Sequence, residues 1–596
     1  MTIHDEEVIG KAYDARLMWR LLTYLQPYRV SVVIALLAII GLSVLQLAQP
    51  YLLKLAIDQY IAAGDMAGLN RIALVFLFVL IGAFILEYVR TYTLQLTGQR
   101  IMFDLRMEIY SHLQRLDMRF YDRNPVGRLM TRVTTDVDVL NDMFASGIVT
   151  VFGDIFMLVG IMTVLVSMDW RLALIAFSVL PLIIFITQWF RRNVRETYRA
   201  VRLWIARINA FLQEHISGMA TVQLFRREAL SYARFEDINR THRDSNIAGI
   251  VYYAVFYPTI EIIGALAASL IIWYGGAWVL QDSLTLGVLV AFLLYAQRFF
   301  RPISDMSEKF NLLQAAMASS ERIFALLDTP VLLKNPRNPV SRSGQAPGRI
   351  EFDRVWFAYA ENDFVLRDVS FEVAPGERIG IVGATGAGKT TIINLLMRFY
   401  DVTRGRICLD GVDIRELDLR GLRRLFSLVL QDVHLFSGSI ASNIRLGEQS
   451  ISDAAVEQAA ASVHADRFIA PLPGGFSSVV AERGANFSVG QKQLLSFARA
   501  LAFDPRILVL DEATSSVDTE TELLIQDGLQ VLMAGRTTIA IAHRLSTIQN
   551  MDKILVLHKG QIRERGTHQN LLTQRGIYHR LYQLQYKDQE LPAGLE

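Results

Sequence analysis

Apolar and polar positions divide this chain into two halves of different rhythm. Runs long enough to cross a bilayer fall near 30–50, 71–95, 147–167, 171–190, 248–277 and 284–304. Beyond a polar stretch at 328–348, the apolar runs shorten to strand length, as in IGIV at 379–382 and ILVL at 507–510. Six spans are predicted. The third and fourth are joined by little more than Asp169, Trp170 and Arg171, and the fifth and sixth by 280–283, so both links are tight turns.

The other connections are long and basic. One carries Arg100, Arg106, Arg115, Arg119, Arg123, Arg128 and Arg132, and a second carries eleven arginines between Arg191 and Arg243. The positive-inside rule puts both in the cytoplasm, and with them both termini. Leu, Ile, Val and Phe recur between the charges, which predicts helix; the arginines then lie either on solvated faces or on helical extensions of the spans. The start of the chain is acidic and polar, unlike a cleaved signal peptide, and no processing is expected there. Leu17, Leu21, Tyr24 and Leu25 recur at helical spacing beside Trp19 and Tyr28, predicting a short interfacial helix. The stretch 328–348, rich in Pro, Arg, Asn and Gly, reads as a linker. The expected organisation is a membrane domain over 1–327, the linker, a second domain over 349–586 and a polar tail over 587–596.

Composition refines this picture. Hydrophobic residues make up 52% of the 596 positions and concentrate in the first half, as membrane helices require. A net charge of only +2 gives no electrostatic case for nucleic acid as a partner. Cys408 is the sole cysteine, which excludes an intrachain disulfide and suits a reducing compartment.

The chemistry sits in the second half. IGIV runs into GATGAGKTT at 383–391, which opens a helical pattern ending near Tyr400. Strand, glycine-rich turn and helix are the setting a phosphate-binding loop needs. Gly383, Gly386 and Gly388 let the backbone, with Ala384, Thr385 and Ala387, turn its N–H groups toward phosphates at a positive helix end. Lys389 can bridge the β- and γ-phosphates, Thr390 offers a hydroxyl to Mg²⁺, and Thr391 completes the motif. Downstream, ILVL ends in Asp511 and Glu512 at the carboxyl end of a buried strand, where α/β sheets bind ligands. Between these segments, FSVGQKQ at 487–493 starts another helix and offers a hydroxyl and N–H groups at a second positive helix end.

In this order, GATGAGKTT, Gln431, the 488–491 segment, ILVLDE and His543 resemble the ATP-binding-cassette (ABC) ATPases. Residues 120–138 and 214–228 resemble the intracellular loops of ABC exporters, whose short coupling helices dock on the ATPase domains. The resemblance covers nearly the whole chain. It implies a six-helix transmembrane domain followed by an α/β P-loop ATPase domain, in a bacterial inner membrane with the ATPase cytoplasmic. It also implies that Asp511 holds Mg²⁺, that Glu512 orients or deprotonates the attacking water, and that Gln431 contacts Mg²⁺ and that water. His543 would act as the γ-phosphate switch and Tyr359 would stack on adenine. Ser488, Val489, Gly490 and Gln491 would meet the P-loop of a second ATPase domain. Ser516 and Asp518 would form the crossing D-loop, and Glu482 would touch the coupling helices.

A chain with one such cassette must pair with a second ABC half-transporter. Family consensus has glycine at position 489, and Val489 restricts φ and ψ and adds bulk where phosphate approaches. The asymmetry is similar to multidrug-resistance-like bacterial heterodimeric exporters of the MdlB type, with one degenerate ATP site; a homodimer tolerating the valine is the alternative. Outward transport of small amphiphiles by alternating access is expected, with membrane lipids around the spans. Glu87, Asp154 and Glu261 fall within or near spans, where a carboxylate is expensive; facing a cavity they would favour cationic substrates, and pairing between helices is the other use. A lipid flippase and an ATP-gated channel or regulatory subunit remain alternatives at this stage.

Overall fold

Apolar runs in the first half form helices because every backbone N–H and C=O in a bilayer must be satisfied within its own segment. The computed structural model describes residues 14–340, 347–360, 363–511, 519–541 and 548–586. They group into two units, one of Met1–Leu113 with Gly127–Thr329 and one of Gln114–Val126 with Pro330–Glu596.

The first unit is helical. Its elements are α1 (Ala15–Thr23), α2 (Arg29–Leu55), α3 (Met66–Leu113), α5 (Val126–Val133), α6 (Thr135–Asp142), α7 (Ile148–Met168), α8 (Trp170–Phe177), α9 (Leu180–Ser217), α10 (Met219–Leu224), α11 (Glu228–Leu280) and α12 (Leu286–Leu327). At 48 and 53 residues, α3 and α11 far exceed the roughly 20 residues that a bilayer demands. The second arginine-rich connection is therefore a helical continuation of the spans, as is the first as far as Arg106 on α3, whereas Arg119, Arg123, Arg128 and Arg132 lie on separate short helices. Among the described residues, five helices are long and apolar enough to cross a membrane. The sixth expected span is apolar only over Leu286–Phe299, after which Arg301, Asp305, Glu308 and Lys309 interrupt it. The short turns fall where expected: Asp169 caps α8 by accepting from the Leu172 N–H at 2.8 Å, and Thr285 caps α12.

Polar groups join these helices at specific points. Pro50, inside α2, has no N–H for the Gln46 carbonyl, and Arg298 of α12 donates to that carbonyl instead while a second guanidinium nitrogen reaches Gln49 Oε1 at 2.6 Å. The Tyr295 hydroxyl donates to the neighbouring Leu47 carbonyl. Buried Asp136 of α6 accepts from Ser319 at 2.9 Å and from Arg322 Nε at 3.0 Å, both on α12. α1 is more than an interfacial helix. Leu21 is fully buried, the Arg20 guanidinium lies 4.1 Å from the centre of the Phe324 ring, and the same group pairs with Asp328 at 2.7 Å. The Tyr24 hydroxyl donates to Glu108 at 2.7 Å. The first helix thus ties together the ends of α3 and α12.

The second unit holds α4 (Met118–Arg123) and the strands β1 (Ile350–Ala358), β2 (Phe364–Val373), β3 (Arg378–Val382), β4 (Arg404–Leu409), β5 (Val412–Asp413), β6 (Phe426–Val429), β7 (Gly438–Ser439), β8 (Val479–Val480), β9 (Ile507–Asp511), β10 (Thr537–Ile541), β11 (Lys553–His558) and β12 (Gln561–Gly566). The central sheet has the order β12-β11-β3-β10-β9-β6, parallel except for the β12 edge. Ile507, Leu508, Val509 and Leu510 are all at most 1% exposed, which explains the unbroken apolar run of β9. A smaller antiparallel sheet, β2-β1-β4-β5, shares one apolar core with the central sheet, where Ile350, Phe352 and Ile407 meet Ile381, Val509 and Ile539, and it buries Cys408. The linker is pinned to this unit: Asn335 donates to Asp418 at 2.7 Å and accepts from the Leu419 N–H at 2.9 Å.

Candidate nucleotide site

The phosphate-binding loop joins β3 to α13 (Lys389–Leu396). Its glycines are required by geometry. Gly386 and Gly388 hold φ of +79° and +103°, and a Cβ on Gly383 would lie 2.3 Å from the Leu557 carbonyl oxygen. Gly388 is the N-cap of α13 and gives it no side-chain cap, so the first N–H groups of the helix are left for a ligand. Lys389 is 8% exposed and its ammonium donates to the Gly383 and Ala384 carbonyls at 2.8 and 3.2 Å. Burial lowers its pKa and the nearby Asp511 carboxylate opposes that shift.

Thr390 and Gln431 are exposed, the first in the opening turn of α13 and the second in the bend after β6; Asp511 ends β9 and is partly exposed. Together they present hydroxyl, amide and carboxylate oxygens, the hard donors that suit Mg²⁺. Tyr359 follows β1 at the side of α13, its hydroxyl donating to Thr391 Oγ1 at 3.3 Å. Glu512, Ser516, Asp518 and His543 lie outside the described residues.

The 488–491 segment begins the helix Val489–Ala502. Ser488 accepts from the Gln491 N–H at 3.2 Å, and Gln491 Oε1 accepts from the Ser488 N–H at 3.0 Å, a reciprocal capping box. Val489 is the first residue of that helix, 56% exposed, and is not among the residues with positive φ. The expected backbone restriction is thereby corrected: a helical position does not need glycine's freedom, and the bulk of the side chain is what remains. Gly490 is buried, and Glu482 is exposed at the start of a 3₁₀ turn, Glu482–Gly484.

Sequence reasoning missed the clamp that fixes this region. Asn443, 2% exposed, accepts from the Phe436 N–H and donates to the Phe436 carbonyl, each at 2.8 Å. Arg499, on the Ser488-capped helix, donates to the Asn443 carbonyl at 2.9 Å and to the His434 carbonyl at 3.2 Å. The segment after Gln431 is thus fastened to that helix. A polar residue amid the apolar pattern of 440–444 was the only available signal.

The span carboxylates are placed as follows. Glu87 pairs with Arg90 one turn away, and Asp154 of α7 pairs with Lys309 of α12. Glu261 is exposed on α11.

A glycine-cradled lysine, a buried strand ending in a carboxylate and a fused array of membrane-spanning helices define an ATP-driven membrane transporter. The chain belongs to the ABC transporter family. The family's transmembrane-region model matches residues 32–303, and its ABC transporter model matches 366–515. The probable multidrug resistance ABC transporter ATP-binding/permease protein YheH of Bacillus subtilis is 38% identical over 84% of this chain and 74% of its own length. The ATP-dependent lipid A-core flippase of Syntrophus aciditrophicus is 35% identical over 96% of this chain and 95% of its own. The structure of a bacterial Atm1-family ABC exporter with ATP bound matches with a TM-score of 0.74 at 27% identity, covering 98% of this chain and all of that one. The chain is accordingly a multi-pass membrane protein of exporter fold that binds ATP and couples its hydrolysis to transport. ABC exporters act as dimers.

Proposed function

We propose that this chain is one half of a dimeric exporter that moves small hydrophobic or amphiphilic molecules outward across a bacterial inner membrane, with its ATPase unit in the cytoplasm. The observation that carries the reading is the contrast within one chain between a complete P-loop and an exposed valine at the head of the Ser488-capped helix. The P-loop N–H groups and Lys389 bind the β- and γ-phosphates, and Tyr359 packs the adenine. Thr390, Gln431 and Asp511 would hold Mg²⁺, which neutralises phosphate charge when bound. Glu512 takes the proton of the attacking water, and His543 and Gln431 orient the γ-phosphate and that water. Across the dimer, Ser488, Gly490 and Gln491 face the partner's nucleotide, with Ser516 and Asp518 at the crossing and Glu482 toward the coupling segments.

Val489 thickens the helix end that faces the partner's ATP, so the partnership is a heterodimer with one competent site and one weakened site, as in MdlB-type pairs. Cassette closure turns the membrane cavity outward, and hydrolysis resets it. ATPase activity of the chain purified alone in lipid, beside Glu512→Gln, tests this. Little activity until a second half-transporter is added supports the heterodimer. Turnover by the pure homodimer, abolished by the substitution, overturns it.

A second reading is favoured by the charge pairing in the membrane unit. With Glu87 and Asp154 neutralised by their own cations, the case for a cationic substrate rests on Glu261, while among the described residues Arg298 donates to neutral partners, Gln46 and Gln49. An intramembrane arginine held by neutral amide and carbonyl oxygens suits an acidic amphiphile, so a lipid or lipid-linked flippase is the runner-up. Translocation of a labelled anionic lipid into the opposite leaflet, dependent on Glu512, would decide for it.

A further inference from the structure

The nucleoside side of the site has a feature that phosphate chemistry does not use. Tyr400 lies just beyond α13, 7% exposed, with its ring edge-on to Tyr359 at 5.2 Å between centroids and 88° between planes. Phe357 closes the cluster, 4.8 Å from Tyr359 and 5.7 Å from Tyr400. On its far side the Tyr400 hydroxyl donates to Asp122 on α4, which belongs to this same unit. α4 is itself capped by Asp117, 7% exposed, through the Phe120 N–H at 3.2 Å. Burial, then the bond to Asp122, push the Tyr400 phenol well above its ordinary pKa, so it stays a donor. The result is a continuous line of contacts: Thr391 of the P-loop helix, Tyr359, Tyr400, Asp122.

We propose that Tyr400 is a positioning residue that passes adenine occupancy at Tyr359 to α4 through Asp122. The inference rests on the reading of Tyr359 as the adenine platform. A base stacked on Tyr359 fixes the plane of that ring, and Tyr400, packed against the ring's edge, has little room to respond except along its own hydroxyl axis. Adenine is the same in ATP and ADP. This line therefore reports an occupied site, whereas elements at the γ-phosphate distinguish ATP from ADP. Two separate signals would then reach the coupling segments, and the 114–126 segment would stay engaged after phosphate leaves and until ADP does.

The test uses the full chain in lipid with Cys408→Ala and a fluorophore attached through Arg123→Cys, at the exposed end of α4. ADP and ATP should both shift the emission. Tyr400→Phe, which keeps the ring and removes the hydroxyl, should shrink both shifts by about three- to tenfold, the worth of one hydrogen bond. Asp122→Asn keeps an acceptor and should retain most of the signal, while Asp122→Ala should lose it. A full response in Tyr400→Phe, or a response to ATP but not to ADP, would overturn the relay. Tyr359→Ala separates the two claims: an unchanged KM for ATP sinks the adenine platform, and a raised KM with a full Tyr400→Phe response sinks the relay alone.

Discussion

Two helices of the ATPase unit begin at ends that we propose receive phosphate, and they begin in opposite ways. α13 starts at Gly388, in a left-handed conformation, with no side chain on its first N–H groups. Val489–Ala502 starts at Ser488 with a capping box that already occupies two backbone donors. The first end is open and depends on a ligand for its satisfaction; the second satisfies itself and must exchange a side-chain bond for a phosphate when a partner closes on it. Binding is therefore built into one end and held in reserve at the other. Val489 adds to the reserve, since it places a branched side chain on the exposed rim of the self-satisfied end.

The widest gap between the two ends should come from the open one. Lys389→Met removes the buried cation of the loop proposed to hold the phosphates, and ATPase activity should fall by roughly 10² or more. Nucleotide binding should weaken with it, measurable by loss of ATP-induced thermal stabilisation. If Lys389→Met hydrolysed ATP normally, the contrast between the two helix ends would lose its meaning.

The self-satisfied end depends instead on its scaffold. Asn443→Ala deletes the two bonds to the Phe436 backbone and a third to the Ser439 carbonyl, at a cost of about 1–3 kcal/mol in stability. The Tm of the full chain should drop, and the segment following Gln431 should become protease-sensitive, while ATP binding at the P-loop is retained. Equal loss of ATP binding would show that the two ends are not separable.

How much of this could be read from the chain follows the same division. The open end was legible because the positive φ of Gly386 and Gly388 and the close approach of the Leu557 carbonyl to Gly383 admit glycine almost alone, so these residues print their geometry in the sequence. The buried strand before Asp511 was legible through its length and apolarity. Helix in the arginine-rich connections was legible through the apolar residues between the arginines, but the breaks that divide 114–142 into short helices were not. The Asn443 and Arg499 clamp was not, because a single polar side chain bonding to backbone has no period and no required spacing. Contacts across long separations were equally hidden: Asp122 and Tyr400 are 278 residues apart, and Asp154 and Lys309 are 155 apart. For Val489 the sequence supplied the departure from consensus but not its meaning, since only the helical backbone shows that bulk, not φ, is at issue.

Val489→Gly tests that meaning directly. Removing the side chain restores access to the helix end, and ATPase activity in the assembled dimer should rise by about two- to tenfold, the worth of one N–H to phosphate bond. Glycine also costs the helix about 0.5–1 kcal/mol, so Tm should fall slightly as activity rises. No gain in activity would make the valine a tolerated variant and return the homodimer to first place.

Gln491→Glu gives the smallest effect and the finest distinction. A carboxylate at this position still accepts from the Ser488 N–H, and its charge interacts favourably with the helix N-terminus, so the full chain should gain about 0.3–1 kcal/mol at low salt. The same charge faces the phosphate that the helix end is meant to receive, and repulsion should lower dimer ATPase activity severalfold, by an amount that shrinks as salt screens it. Stability and turnover would then move in opposite directions from one substitution. At the open end no such trade exists, because α13 has no capping side chain to improve. A Gln491→Glu protein with unchanged turnover would mean that position 491 never meets the partner's nucleotide, and the reserve assigned to this helix end would be only a cap.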